Sequence, residues 1–169
     1  EQGETVAQTM LGYMYQYGQG TPLDYKEALK WNSLALEKNS ITAAKNLAVM
    51  YRNGHGVTKD EEMCFSLNLK AAKSGDVDAQ LQVMGSYVHG NGVAISKKDA
   101  AYWCNLAREK GSPAAEAYWE SFELSKYEQN NINYRYFSTC TFTSNDYGLH
   151  CWGNHWNKHL NERQSNQLP

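Results

Sequence analysis

Proline, charge of one dominant sign and long apolar runs are all scarce in this sequence. Three of its 169 residues are proline, and 16 basic residues nearly balance 18 acidic ones, for a formal net charge of −2. A near-neutral surface argues against general binding to nucleic-acid phosphates, which needs dense positive charge. No stretch approaches the 18 continuous apolar residues of a transmembrane helix, and the mixed composition argues against a disordered chain. The composition therefore predicts a compact, helix-rich protein without a membrane span.

A repeat of 36 residues organises the chain, because five positions are identical in all three full units. Chance at ordinary residue frequencies would give well under one such triple match. The identical positions are Ala7/Ala43/Ala79, Tyr15/Tyr51/Tyr87, Gly18/Gly54/Gly90, Gly20/Gly56/Gly92 and Ala35/Ala71/Ala107. We predict a repeat solenoid over residues 1–125, with units at 4–39, 40–75 and 76–111 and a partial unit at 112–127. A non-repeating capping segment follows at 126–169.

Each unit is predicted to form two helices, A and B. Residues that commonly cap helix N-termini stand ahead of both: Ser40, Asp76 and Ser112 before helix A, and Asp24, Asp60 and Ser96 before helix B. Helix A carries Ala43, Leu47 and Tyr51 at i, i+4 and i+8, a single apolar stripe. Such pairs can bury their stripes only against neighbouring pairs, so we expect them to stack.

The Gly-x-Gly loops that follow helix A raise the alternative of a phosphate-binding loop. Loops of the dinucleotide-binding type follow a strand and carry a third glycine. No strand is predicted before these loops, and Leu23 stands where the third glycine after Gly18 and Gly20 would lie. We therefore interpret the glycines as helix terminators, whose positive φ lets the backbone reverse.

These patterns closely resemble the Sel1-like repeat. Residues 11–20, LGYMYQYGQG, are similar to its first half and residues 24–31, DYKEALKW, to its second half, and the resemblance covers about residues 4–125. The chain departs from the family pattern at Ala48 and Met84, where glycine is preferred, and at Cys64, which replaces an alanine. The resemblance implies an all-α, right-handed αα-superhelix of about 3.5 repeats, similar to tetratricopeptide arrays, with an irregular C-terminal cap.

The resemblance also implies a function. Sel1-like proteins usually act as protein-binding scaffolds without catalysis, and some bacterial members neutralise toxins of contact-dependent secretion systems such as type VI. We therefore expect a non-catalytic envelope immunity protein that occludes the active cleft of a secreted lipase or phospholipase effector. An adaptor or host-interaction scaffold is the alternative. The partner expected is a protein and not a nucleic acid, and no cofactor is expected.

By analogy with tetratricopeptide arrays, the partner would lie on the concave side, which helix A of each unit lines. Tyrosine and arginine often anchor interfaces, since each joins a large contact area to a polar end. The alternative is that these positions are simply solvated, or are covered by the chain's own C-terminal segment. The predicted contact residues are Thr9, Tyr13, Gln16 and Tyr17 in unit one, Lys45, Val49, Arg52 and Asn53 in unit two, and Leu81, Gly85, Val88 and His89 in unit three.

The C-terminal segment is rich in aromatic residues, which we expect to cover an apolar solenoid end that includes Trp119. The alternative is that part of the segment contacts the ligand. Cys140 and Cys151 would close a loop of about 12 residues, and a disulfide there would stabilise the fold by about 3 kcal/mol. Such a bridge implies an oxidising compartment. Cys64 and Cys104 are predicted to be buried free thiols.

We expect a periplasmic or secreted bacterial protein. The sequence begins at Glu1 without a methionine or a signal-like segment, so we expect that the original start has been removed. The predicted disulfide and the frequent export of similar bacterial proteins favour the same location.

A metal site is the competing interpretation of the C-terminal segment. Cys151, His155 and His159 recur at i, i+4 and i+8, and Cys140 would complete a Cys₂His₂ set. Ten residues separate the two cysteines, whereas structural zinc sites usually place two to four there, so we favour the disulfide and predict no metal. A metal-dependent enzyme built on this segment is the least favoured function. Trp156 stands where a zinc protease needs its glutamate, and no serine lies in a nucleophile elbow, so no catalytic residue is predicted.

Overall fold

A computed structural model describes residues 2–130 of the chain. Within that range the elements are α1 (Gln2–Tyr17), α2 (Tyr25–Glu37), α3 (Ile41–Asn53), α4 (Glu61–Lys73), α5 (Val77–His89), α6 (Lys97–Glu109), α7 (Pro113–Ser121) and a 3₁₀ helix (Leu124–Asn130). Helices α1, α3, α5 and α7 are the A helices, and α2, α4 and α6 are the B helices. Of these helices, none is long and apolar enough to cross a bilayer.

The helices pack in pairs, and the pairs stack in chain order. Each A helix packs on the B helix that follows it, and each B helix then contacts the A helix of the next unit. Two apolar clusters fill the stack, one around Leu47 and Met50 and the other around Val83, Trp103 and Leu124. The all-α fold of about 3.5 stacked repeats is therefore confirmed.

The predicted N-caps are confirmed at all six positions. Each cap residue has extended backbone dihedrals, and its side-chain oxygen accepts a hydrogen bond from an amide of the first turn. The nitrogen-to-oxygen distances are 2.9 Å from Lys26 to Asp24, 2.9 Å from Met63 to Asp60, 2.8 Å from Ala79 to Asp76, 3.2 Å from Ala43 to Ser40, 3.3 Å from Asp99 to Ser96, and 3.4 Å from Ala115 to Ser112.

The second glycine of the loops after α3 and α5 lies where two units meet. Gly56 and Gly92 have φ values of +73° and +69°, which side chains rarely tolerate. A Cβ added at Gly56 would lie 2.8 Å from Tyr25 Cβ, and one added at Gly92 would lie 2.0 Å from the Glu61 carbonyl oxygen. The loop after an A helix therefore rests on the first turn of the preceding B helix. This contact explains why the second glycine recurs, and the loop follows a helix, not the strand of a phosphate-binding loop.

The repeated alanine of helix A is buried where a described B helix precedes it. Ala43, Ala79 and Ala115 are 0–1% exposed, because the preceding B helix packs against each of them. Ala7, the first copy, is exposed, since no described element precedes α1. After α6, the Trp119 side chain is buried at 6% exposure, and the Arg108 guanidinium lies 4.4 Å from the ring centroid. The expectation that the C-terminal segment covers this apolar surface falls on residues outside the described range and stays a prediction.

Candidate protein-binding surface

Four positions on each A helix form a row of accessible side chains. They are spaced i, i+4, i+7 and i+11, so they share one side of the helix, and none of them is buried. The residues are Val6, Met10, Tyr13 and Tyr17 on α1, Thr42, Asn46, Val49 and Asn53 on α3, and Asp78, Gln82, Gly85 and His89 on α5. These twelve residues are named the A-helix face.

The chemistry of the A-helix face changes along the stack. On α1 all four side chains are large and apolar, and they are 42–60% exposed. The ring centroids of Tyr13 and Tyr17 lie 4.6 Å apart with an interplanar angle of 45°, so part of the row is a tilted aromatic pair. The corresponding residues on α3 and α5 are mostly polar. The α1 end can therefore offer apolar contact area, while the later units offer hydrogen-bonding groups.

A groove of about 500 Å³ lies over α5. It is named the α5 groove. All four A-helix-face residues of α5 line it, together with Leu81, Met84 and Ser86. Residues of neighbouring elements complete the lining. Those are Arg52 from α3, Glu61 and Cys64 from α4, Asn91 from the following loop, and Tyr118 and Phe122 at the end of α7. The groove therefore forms only because three successive A helices stack in register.

Gly85 leaves the middle of the α5 groove open. A Cβ built on this residue would meet no heavy atom within 4 Å. The residue lies inside α5 and has no left-handed φ, so its backbone conformation does not require glycine. The missing side chain therefore leaves open space that neither the backbone conformation nor a close neighbour requires.

Both acidic residues of the groove take part in ion pairs. The Asp78 carboxylate lies 3.2 Å from Lys45 Nζ, and the Glu61 carboxylate lies 2.8 Å from Lys59 Nζ. Arg52 Nη2 instead donates a 2.8 Å hydrogen bond to Gln82 Oε1, a neutral acceptor. Among the side chains of residues 2–127, no carboxylate is paired with the Arg52 guanidinium. At the other end of the groove, the His89 ring meets the Phe122 ring edge-on at 5.9 Å.

Lys45 joins neighbouring units and is not free for a partner. Its ammonium bonds Asp76 at 2.9 Å as well as Asp78, and Asp76 is the N-cap of α5. Burial lowers the pKa of Lys45, but its hydrogen bonds with the two aspartates, and their charges, outweigh this effect. The pKa therefore lies above its ordinary value. The protonated form is the one that connects α3 to α5.

Two predicted contact residues do not lie on the accessible surface, and this expectation is corrected. Thr9 is 7% exposed, and its hydroxyl lies 3.0 Å from that of Ser40, the N-cap of α3. Gln16 is 2% exposed, and its amide donates to the Tyr17 hydroxyl at 3.4 Å. Positions 9 and 45 are equivalent in the repeat, and both bond the N-cap of the next A helix. They hold units together, so they cannot contribute freely to a partner surface.

The other predicted contact residues are accessible. Tyr13, Tyr17, Asn53 and His89 are exposed and Arg52 is half-buried, while Val49, Leu81, Gly85 and Val88 are also half-buried. Leu81 and Val88 pack against the apolar cluster around Val83. Their contact with a partner stays a prediction.

Sequence reasoning missed Val6, Met10, Gln82 and Tyr118. A signal for the first two was present, because they stand seven and three residues before Tyr13, on the same side of the helix. Gln82 is the equivalent of Met10 two units later, and Tyr118 is its equivalent three units later. Extending the helical spacing backward from the two tyrosines would therefore have found the complete row.

The cysteines of the solenoid behave as predicted, since Cys64 and Cys104 are buried free thiols. Burial raises the pKa of Cys104 to about 11. Over the described part of the chain, no group of three or more histidine, cysteine or acidic side chains could hold a metal ion. The predicted disulfide between Cys140 and Cys151 and its metal alternative with His155 and His159 lie outside the described residues.

Stacked helix pairs with a row of accessible A-helix residues define an αα-solenoid. Its family is shown by sequence, because the profile of the Sel1 repeat matches residues 5–40, 41–76 and 83–112. The chain belongs to the Sel1 repeat family. Sel1 repeats mediate protein–protein interactions, and scaffolds built from them are typically non-catalytic.

Solved structures resemble the chain over about two thirds of its length. A Sel1 repeat protein from Oxalobacter formigenes is 37% identical, with a TM-score of 0.61, over 66% of this chain and 45% of its own. A protective antigen present in uropathogenic Escherichia coli strains is 35% identical, with a TM-score of 0.64, over 68% of this chain and 25% of its own. Cysteine-rich protein B of Helicobacter pylori shares the fold at 24% identity and a TM-score of 0.57, over 69% of this chain and 89% of its own. The chain thus spans less than half of the first two proteins, and among curated proteins no match was found.

Proposed function

We propose that this chain is a non-catalytic scaffold that binds a segment of a partner protein in the α5 groove. The observation that carries the proposal is a groove of about 500 Å³ whose middle is left open at Gly85. A helical glycine weakens its helix by about 1 kcal/mol relative to alanine. Because neither the backbone nor a close neighbour requires glycine at this position, access for a ligand explains the residue better than packing does.

The rest of the A-helix face supports the same proposal. The exposed row of Val6, Met10, Tyr13 and Tyr17 provides apolar anchors beside polar positions on α3 and α5. Protein interfaces commonly combine a few aromatic anchors with a polar rim. A partner seated in the groove could therefore extend along the face toward α1.

The particular role we propose is that of an envelope immunity protein, periplasmic or secreted, in a bacterium. It would bind a secreted antibacterial lipase or phospholipase and occlude its active cleft. What supports this proposal is the Sel1 repeat family, together with the apolar row on α1. Clefts that receive acyl chains are apolar, and exposed aliphatic and aromatic side chains would fill them favourably.

A host-interaction scaffold is the second candidate. One observation favours it, since a relative 35% identical over 68% of this chain is described as a protective antigen of uropathogenic strains. That description belongs to the relative. For this chain, a host partner would use the same A-helix face, so the two candidates differ in the identity of the bound protein.

The test blocks the groove and leaves the fold intact. Gly85→Trp would place an indole in the open middle of the groove, while Gly3→Trp would place the same side chain on α1, also with no atom within 4 Å of its Cβ. Full-length wild type and both variants serve as baits for proteins of the native organism and, separately, for proteins of host cells, and circular dichroism confirms that each bait is folded. Proteins retained by wild type and Gly3→Trp but lost with Gly85→Trp support binding in the groove.

An identical set of captured proteins with all three baits would contradict the groove as the binding site. The immunity role needs a captured lipase or phospholipase whose toxicity is relieved when wild type, but not Gly85→Trp, is produced in the periplasm of the target cells. Capture of host proteins alone, without such a toxin, would favour the second candidate.

A further inference from the structure

We infer that the α5 groove selects an acidic segment, in which a carboxylate binds beside Arg52 and an apolar side chain packs against Tyr118 and Phe122. The inference rests on the proposed function, because it names the class of partner segment that the same groove takes. It depends on the charges that remain unpaired in the groove and on the spacing of the two ends.

Arg52 is the charged side chain lining the groove that has no ion-pair partner among the described side chains. Asp78 lies 3.2 Å from Lys45 Nζ, which also binds Asp76, and Glu61 lies 2.8 Å from Lys59 Nζ. Arg52 carries a permanent charge, and its contact with Gln82 uses one of five guanidinium N–H donors. A carboxylate can accept two parallel hydrogen bonds from such a group, which a neutral amide cannot match in strength. A partner carboxylate is therefore the ligand group that complements this end.

The opposite end of the groove is aromatic. The Tyr118 and Phe122 rings lie 6.1 Å apart with an interplanar angle of 29°, and His89 meets Phe122 edge-on. Tyr118 is 40% exposed, so a large part of this surface is open to a ligand. An aromatic or long aliphatic side chain would bury apolar area here and would gain ring contacts if it is aromatic.

The distance between the ends sets the spacing of the motif. Gln82 marks the position of the Arg52 guanidinium, and His89 marks the aromatic end of the groove. The two residues lie seven positions apart on α5. Seven residues of α-helix rise about 10 Å, which is about three residues of extended chain. The expected partner segment is extended and carries Asp or Glu about three residues from an aromatic or aliphatic residue, passing over Gly85.

The experiment is an mRNA-display selection of random nine-residue peptides on the immobilised full-length protein. Parallel selections use Arg52→Gln, Arg52→Lys, Arg52→Glu and Gly85→Trp, with Lys26→Gln as a control that removes a cation from the exposed side of α2. Wild type and Lys26→Gln are expected to enrich Asp or Glu about three positions from an apolar residue. Arg52→Gln should lose the acidic preference but keep the apolar one, and Arg52→Glu should enrich Lys or Arg instead.

Selected acidic peptides are then measured by fluorescence anisotropy. Arg52→Gln should weaken their binding about tenfold or more, which is the loss of a charge-assisted hydrogen-bond pair, while Arg52→Lys should weaken it less. If peptides are enriched on wild type but not on Gly85→Trp, and they show no preference for Asp or Glu, the inference is overturned and the proposed function still stands. Equal enrichment on wild type and Gly85→Trp would overturn both.

Discussion

At the scale of single residues, two glycines that look alike in the sequence have opposite reasons to be there. Gly92 sits in a loop with a φ of +69° and almost touches the backbone of α4, so its lack of a side chain is a structural requirement. Gly85 sits in a helix with open space around its Cβ position. Only the second glycine is available for function.

The two glycines should respond oppositely to alanine. Gly92→Ala is expected to lower the free energy of unfolding by about 1–3 kcal/mol, because it combines a strained φ with a backbone clash. Gly85→Ala is expected to raise it by about 0.5–1 kcal/mol, because alanine is the better helix former. Urea denaturation followed by circular dichroism measures both. Destabilisation by Gly85→Ala as large as that of Gly92→Ala would show that the groove glycine is structural after all.

The buried thiol of Cys104 gives a second prediction at this scale. Burial raises its pKa to about 11, and its Sγ lies 3.3 Å from the Ala115 carbonyl oxygen, to which the thiol donates. At pH 8 the native protein should therefore leave Cys104 unmodified by iodoacetamide, since the thiolate is the reactive form. Peptide mapping by mass spectrometry, before and after unfolding in urea, follows each cysteine separately. Rapid labelling of Cys104 in the native protein would contradict its burial.

At the scale of elements, helices are joined by contacts that repeat from unit to unit while their chemistry changes. Position 9 uses a hydroxyl pair with Ser40, and position 45 uses an ion pair with Asp76. The residues where helices A and B of one unit meet also differ from unit to unit. A Cβ at Gly12 would lie 2.5 Å from the Asn32 side chain, whereas Met84, the residue equivalent to Gly12 two units on, has Cys104 at the position equivalent to Asn32. A larger residue on one helix is thus accompanied by a smaller one on the other.

The Lys45 link between α3 and α5 can be tested by its pH dependence. Lys45→Met is expected to cost about 0.2–1 kcal/mol at pH 7, the usual range for partly exposed ion pairs. The folded pKa of Lys45 is raised, so this contribution is fully present below the ordinary lysine pKa of about 10.4 and is lost as the pH rises through the folded value. Urea unfolding at pH 7 and pH 11 measures the difference, with Lys26→Met as an exposed control. A difference that persists unchanged at pH 11 would exclude the charge as its cause.

Features that depend on neighbouring residues in the chain were predictable from the sequence, whereas features that depend on tertiary packing were not. Caps and loop glycines were predictable, because each depends on its own few neighbours in the chain. Thr9 and Gln16 were misplaced, because the rotation of an A helix against the next unit is set by tertiary packing, which the repeat period alone does not contain. The α5 groove could not be predicted for the same reason, since it needs Arg52, Gly85 and Tyr118 from three units to be brought together.

At the scale of the whole molecule, stability is expected to vary along the stack. Each of the three full units has the same internal helix pairing, but α1 has a described neighbour on only one side, and Ala7 is exposed where Ala43 is buried. In stacked repeats, stability is approximately the sum of unit terms and nearest-neighbour interface terms. Among the described units, the α1 unit therefore has one interface term fewer than the inner units.

Native-state hydrogen exchange should consequently be faster for amides of α1 than for those of α3 and α5. Paired substitutions provide the control: Ala43→Leu should destabilise the protein by about 1–3 kcal/mol through overpacking, while Ala7→Leu should have little effect. Exchange followed by mass spectrometry and urea unfolding measure the two effects. Equal protection in all three helices, or equal costs of the two substitutions, would show that α1 is covered in the same way as the inner units.

The joint made by Gly56 on α2 is made again by Gly92 on α4, one period later. An insertion or deletion of 36 codons in register would therefore preserve this glycine contact between the units that become neighbours. The A-helix face can thus lengthen or shorten in evolution by whole units. Its amino acids can also diversify within each unit without changing the glycine contact between units.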